Sequence, residues 1–214
     1  MSLLNALILG LIQGISEFLP ISSSGHLSIA QNLFNLKVEG SEDMFFEVLL
    51  HLGTLVAVFA AYWGDIREMI LEFFRTIRDV CHNRIETARR QILLLIVGTL
   101  PLFLILPLQD FVEGLSSNTY VVGGALLVTG VLLFLSDRIR RGRKTAKDVK
   151  LTDVLLVGAG QALATCPGLS RSGTTIALGC FAGMERKFAV RFAFLLSIPA
   201  VLGANILKIV DVVA

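Results

Sequence analysis

Two apolar stretches of this chain, residues 3–34 and 153–183, are each broken midway by a run of Ser, Gly and Pro. The first break reads Gln13-Gly-Ile-Ser-Glu17-Phe-Leu-Pro20-Ile-Ser22-Ser23-Ser24-Gly25-His26. The second reads Gln161-Ala-Leu-Ala-Thr165-Cys-Pro167-Gly-Leu-Ser170-Arg171-Ser172-Gly173-Thr174. Aligned without a gap, Gln13 falls on Gln161, Ser22 on Ser170, Ser24 on Ser172 and Gly25 on Gly173, with Gly10 on Gly158 upstream. Each half of a broken stretch is only about 13 to 17 residues, short of the roughly 20 a helix needs to span a bilayer. A re-entrant helix pair suits that length better than two full spans. Irregular backbone at membrane depth is tolerated only where protein buries it or a wet cavity adjoins it, so both turns predict a polar cavity inside the bilayer.

Composition supports a bilayer setting. Hydrophobic residues make up 54% of the 214 and charged residues 17%, with mean hydropathy +0.75; a soluble domain carries about a quarter charged residues. Four further stretches are long and apolar enough to span: 44–63, 92–108, 120–136 and 188–207. Pro101 and Pro107 are expected to kink the second of these. Sixteen of the nineteen Lys and Arg lie in 65–91, 137–150 and 185–191, which the positive-inside rule places in the cytoplasm. The links 35–43 and 109–119 hold Glu39, Glu42, Asp43, Asp110 and Glu113 against one Lys, and go outside. The two broken pairs then enter from opposite faces, an all-α, inverted-topology polytopic membrane fold whose shared site lies near the midplane.

With a two-residue shift the repeat continues: Phe46, Leu49, Leu50 and Asp65 fall on Phe192, Leu195, Leu196 and Asp211. The expected organisation is one integral membrane domain over 1–214, with repeat one at about 1–136, a basic cytoplasmic link at 137–150, and repeat two at about 151–214. Repeat two is incomplete, lacking the counterparts of the last two spans of repeat one. Helical spacing of Ile66, Met69, Ile70, Phe73, Phe74 and Ile77 predicts an amphipathic surface helix over 66–90. The basic run 138–150 reads as a solvated topology signal near anionic lipid, not a nucleic-acid site. Cys81, Cys166 and Cys180 show no metal or redox spacing, and no cleavable signal peptide is evident.

The chemistry concentrates at the turns, where polar groups in apolar sequence are functional candidates by default. Arg171 offers a planar fork of donors suited to phosphate oxygens. Ser170, Ser172, Thr174 and Thr175 add hydroxyls, and the helix expected after Gly173 adds backbone amides, together an anion site. In the first copy His26 can attack or move a proton near neutral pH, with Ser23 three residues before it and Glu17 upstream as base, orienter or cation ligand. Gln13 lies one helical turn before Glu17, and Ser22 and Ser24 complete the polar lining. Glu47 and His51, at i and i+4, are a weaker pair, and a metal site from His26, His51 and Glu47 lacks a supporting motif.

At these residues the chain resembles the undecaprenyl-diphosphate phosphatase family of the bacitracin-resistance type. GLIQGISEFLPISSSGHL and PGLSRSGTT carry the resemblance, which covers essentially the whole chain in order. It implies hydrolysis of a C55 polyprenyl diphosphate to the monophosphate on the outer face of the cell membrane, recycling the carrier lipid for cell-wall glycans. By that resemblance the catalytic residues are Glu17, Ser23, His26 and Arg171; either Ser23 or His26 is the nucleophile. Substrate-binding residues are Gln13, Ser22, Ser24, Ser170, Ser172, Gly173, Thr174 and Thr175. Mg²⁺ or Ca²⁺ is a candidate bridge between Glu17 and the diphosphate; no organic cofactor is expected, and a homodimer is one expected assembly. Gln13 stands where many members have Glu, and members normally continue for two more spans. A polyprenyl-phosphate flippase is the alternative, since inverted repeats and broken helices are usual transporter architecture.

Overall fold

The computed structural model describes residues 3–34, 41–78, 86–115 and 118–213. The first broken stretch forms α1 (Leu3–Phe18) and α2 (Ser23–Leu33), the second α8 (Leu151–Leu163) and α9 (Arg171–Phe181). Both second helices start on a serine cap, as the Ser-x-Ser-Gly pattern requires. Ser22 Oγ accepts from the Gly25 amide at 3.3 Å and Ser170 Oγ from the Gly173 amide at 3.0 Å, satisfying donors that a helix start leaves open. Among the described residues all regular structure is helical, apart from an isolated bridge between Lys144 and Met184.

Among the described residues three helical stretches are long and apolar enough to cross a membrane, Arg89–Leu108, Thr119–Arg138 and Arg186–Leu207; a fourth, Phe46–Ala61 with Trp63–Leu71, is bent by 78°. The chain is therefore a polytopic α-helical membrane protein. Its surface agrees: Leu104 is 76% and Leu127 74% exposed, among many large apolar side chains that face outward on the span helices, the inverse of a water-facing surface.

The bend divides α3 (Ser41–Ala61) from α4 (Trp63–Arg78). The expected amphipathic helix over 66–90 begins earlier, at Trp63, its described part runs to Arg78, and Glu86 to Arg90 belong instead to α5 (Glu86–Thr99). Arg90 stands with the span because its guanidinium donates to the Ala146 and Val149 carbonyls at 2.7 and 2.8 Å. The prolines expected to kink 92–108 instead change its winding. Pro101 and Pro107 each open a 3₁₀ segment, Leu100–Leu104 and Leu106–Leu108, where the tighter turn accommodates a missing N–H. A short α6 (Gln109–Gly114) precedes α7 (Thr119–Arg138), and α10 (Arg186–Val213) carries Pro199 internally. Cys81, residues 35–40 of the first acidic link, and 79–85 of the amphipathic stretch lie outside the described residues, as do the side chains of 41–43.

The basic run 138–150 is not merely solvated. Lys144 donates from its backbone to Gly183 and accepts from Glu185, its ammonium meets Asp153 at 2.7 Å, and Ala146 and Val149 are buried. Charge count alone conceals such backbone pairing. Val149 joins Leu94, Val154, Val157, Cys180, Met184, Phe192 and Leu196 in the larger core cluster, built around α8 and α9. Among the described residues the smaller cluster holds Leu9, Leu27 and Ala30 of α1 and α2, with Ile12, Phe46 and Leu50 packed against it.

Candidate functional site

The two turns touch. A Cβ on Gly173 would stand 2.6 Å from the Pro20 carbonyl oxygen, and one on Gly25 would stand 3.3 Å from the Gly168 Cα. The repeat-matched glycines thus each make room for the other turn. Gly168 itself takes φ +90, a conformation that favours glycine, and packs against Val122 of α7. The Ser170 amide donates to Thr129 Oγ1 of α7 at 3.0 Å, pinning the second turn.

Glu17, at the end of α1, gathers the chemistry. Ser23 Oγ donates to Glu17 Oε2 at 2.6 Å, and Gln13 Nε2 donates to the same oxygen at 3.2 Å. On the other oxygen, Oε1, Arg171 Nη2 approaches to 3.8 Å. A hydroxyl, a carboxylate and a guanidinium from two segments 148 positions apart in the alignment therefore meet at one point. Glu17 and Arg171 are mostly but not wholly buried, at 16% and 26% side-chain exposure.

His26 Nδ1 lies 2.7 Å from the Ser22 carbonyl oxygen. A carbonyl only accepts, so Nδ1 carries the proton and a neutral ring keeps its lone pair on Nε2. Ser22 contacts Ser24 at 3.4 Å between hydroxyls, and Ser170 contacts Ser172 likewise at 3.4 Å. Thr175 Oγ1 turns back to the Arg171 and Ser172 carbonyls, at 2.8 and 3.1 Å, and Thr174 Oγ1 is buried without a partner. These two threonines face into their own helix packing, unlike Ser172, which lines the cleft described next. Gln161, the counterpart of Gln13, is fully buried with both amide atoms unpaired.

Glu17, Arg171 and Ser172 form the polar end of a cleft between α3 and α10. Leu55, Val58, Phe194 and Val201 make its apolar walls, with Thr54 and Ser197 set among them. Sequence reading missed Thr54, Thr129 and Ser197. A polar residue inside an apolar span was the available signal for all three, and Ser197 also falls on His51 under the two-residue repeat shift. His51 is half-buried, within electrostatic reach of Glu17 and Arg171, and its Nδ1 donates to the Glu47 carbonyl at 2.9 Å. Among the described residues no three His, Cys, Asp or Glu side chains converge as a metal site, so His26, His51 and Glu47 are not brought together as ligands.

A family model described as bacitracin resistance protein BacA matches residues 6–214. An undecaprenyl-diphosphatase of Methanosphaera stadtmanae is 42% identical, over 99% of this chain and 79% of its own length. One from Alkaliphilus metalliredigens is 41% identical, over 99% of this chain and 78% of its own. Undecaprenyl-diphosphatase 1 of Shouchella clausii is 43% identical, over 100% of this chain and 76% of its own. With the helical membrane architecture and the two matched turns, this places the chain in the BacA bacitracin resistance protein family.

Proposed function

We propose that the protein hydrolyses undecaprenyl diphosphate, or a similar polyprenyl diphosphate, to the monophosphate and inorganic phosphate. It thereby recycles the carrier lipid of cell-wall glycan synthesis and confers resistance to bacitracin. Relatives at 41–43% identity bear this activity in their names. The observation that carries the reading is the 2.6 Å hydrogen bond from Ser23 to Glu17, with Arg171 on the carboxylate's other oxygen. A flippase needs an anion site but no nucleophile paired with a base.

In this reading the isoprenoid tail lies along the apolar walls and the diphosphate reaches Arg171, Ser172 and Ser24. The site serves the outer face of the cell membrane, and the two helix pairs are re-entrant, inverted repeats of one domain. Ser23 Oγ attacks the terminal phosphorus as its proton passes to Glu17. The new Oγ–P bond replaces the bond to the bridging oxygen, whose electrons leave with the polyprenyl monophosphate. Arg171 stabilises the charge that develops there. Glu17 passes the Ser23 proton to the departing monophosphate and then, as the base, takes one from the water that cleaves the phosphoserine and returns it to the Ser23 oxygen. One observation favours a second nucleophile: the Ser22 carbonyl holds His26 with Nε2 available, which would form a phosphohistidine instead. Gln13 orients Glu17 in either case. A single carboxylate is a thin donor set, so Glu17 would hold Mg²⁺ or Ca²⁺ only together with diphosphate oxygens and water, and such an ion would neutralise phosphate charge.

The test is phosphate release from undecaprenyl diphosphate by the detergent-purified chain beside Ser23→Ala and His26→Ala. Release by the parent chain is expected; its absence from a folded, monodisperse sample refutes the phosphatase reading. A trapped phosphoenzyme that survives acid and is lost in base assigns Ser23. One lost in acid assigns His26.

A further inference from the structure

A second cavity, of about 380 Å³, lies between the start of α5, the 144–150 segment and the start of α10. It shares no lining residue with the cleft at Glu17. Lys147, Lys187 and Arg191 face it against one carboxylate, Glu185, and Phe188 supplies an apolar wall. Lys147 and Lys187 are exposed and make no ion pair among the described residues. Arg191 spends one nitrogen on Asp65, but its Nε is buried with no hydrogen-bond partner. Arg191 nonetheless lines the cavity beside the two lysines, with its side chain 39% exposed.

The walls are built rather than loose. Asp148 Oδ2 accepts from the Thr145 amide at 3.0 Å and from its hydroxyl at 2.7 Å, closing the turn that presents Lys147. Arg90 clamps the carbonyls of Ala146, within that turn, and of Val149, just after it. The Lys144 backbone ties the segment to Gly183 and Glu185, at the foot of α10. The positive-inside rule puts this face in the cytoplasm, where the leaflet is anionic.

We infer that this cavity binds a phosphate ester, its oxygens shared by Lys147, Lys187 and Arg191. The ligand is either the headgroup of an anionic phospholipid or free phosphate, and the Phe188 wall offers contact only to the lipid. The experiment follows the unfolding midpoint of the detergent-purified full chain during titration with short-chain phosphatidylglycerol, short-chain phosphatidylcholine or inorganic phosphate. It compares the parent with Lys147→Ala/Lys187→Ala, with Lys147→Arg/Lys187→Arg, and with Arg140→Ala/Arg141→Ala, which removes the same charge outside the cavity. A saturable rise with phosphatidylglycerol is expected and not with phosphatidylcholine. It should weaken on the order of tenfold or more in the lysine-to-alanine variant, at about 1 kcal/mol per basic residue, and persist in the other two. The same pattern with inorganic phosphate alone supports the site and assigns free phosphate. No saturable rise with either anion, or equal weakening in both alanine variants, overturns the inference.

Discussion

The two broken helix pairs share a motif but divide the labour. Pair one brings Glu17, Ser23 and His26, yet buries little: Leu9, Gln13 and Ser16 in α1, and Gly25, Leu27 and Ala30 in α2. Pair two brings one cation, Arg171, and sits inside the main core, with six buried residues in each of α8 and α9. The difference teaches that reactive groups and rigidity are supplied by different copies. Under the proposed mechanism, the well-packed copy presents the anion-binding donors and the lightly packed copy carries the groups that would accept and pass protons. Local stability follows packed contacts, so pair one is expected to open first.

The sharpest way to break this division is at its meeting point. Glu17→Gln keeps the shape of the side chain and removes the base; phosphate release should fall by about 10²–10⁴-fold, with little change in the unfolding midpoint. A loss of less than tenfold would remove Glu17 from the chemistry. Arg171→Lys should cost somewhat less, on the order of tenfold to a hundredfold, because an ammonium keeps the charge and loses the fork. Substrate saturation kinetics of the two variants would separate the roles of the two copies.

The contact between the turns gives an intermediate test. Gly173→Ala would put a methyl 2.6 Å from the Pro20 oxygen, a backbone atom that cannot step aside. Gly25→Ala would first meet a Leu126 methyl at 3.0 Å, and that side chain can shift. Activity should therefore drop at least tenfold in the first variant and only a few-fold in the second. Equal losses would mean that the turns do not need this approach.

The matched glycines upstream should differ in stability rather than activity. A Cβ at Gly158 would lie 2.4 Å from the Gly98 oxygen, where α8 crosses α5, whereas at Gly10 it meets only Leu50 at 3.8 Å. Gly158→Ala should destabilise by about 1–3 kcal/mol through overpacking. Gly10→Ala should be neutral or stabilise by up to about 1 kcal/mol, as alanine does in a helix interior. Thermal unfolding of both variants in one detergent reads the contrast.

Smallest is a pH effect on the segment that leads into pair two. The Thr145 hydroxyl and amide hold the Asp148 carboxyl below its ordinary value. A lowered folded value means the turn is stabilised at neutral pH, and that stabilisation fades as pH falls below about 4. The protection factor of the Thr145 amide should fall there, and Asp148→Ala should show the low protection already at pH 7.

Much of this division was legible in the sequence. The Ser-x-Ser-Gly runs marked both helix breaks, but the helix expected after Gly173 begins at Arg171, because the Ser170 hydroxyl caps it by accepting from the Gly173 amide. Hydropathy located the spans. What stayed hidden depends on distant partners. Nothing near Thr129 announces that it receives the Ser170 amide from 41 residues away. Nothing in the basic run shows that Lys144 pairs with Gly183 and Glu185. Glu17, Ser23 and Arg171 could be named from residue type and neighbourhood, but that Ser23 turns to Glu17 and His26 to the Ser22 carbonyl is geometry no spacing encodes.

Ser22, which caps α2, has φ +74. Glycine would suit that backbone, yet glycine has no hydroxyl for the Gly25 amide or for Ser24. The position answers two demands that no single amino acid meets, and holding serine there costs about 1–3 kcal/mol. Against a marginal fold of about 5–15 kcal/mol, that standing cost narrows what the rest of the chain can tolerate. Harmful substitutions far from the turn should thus be rescued in folding, though not in turnover, by Ser22→Gly.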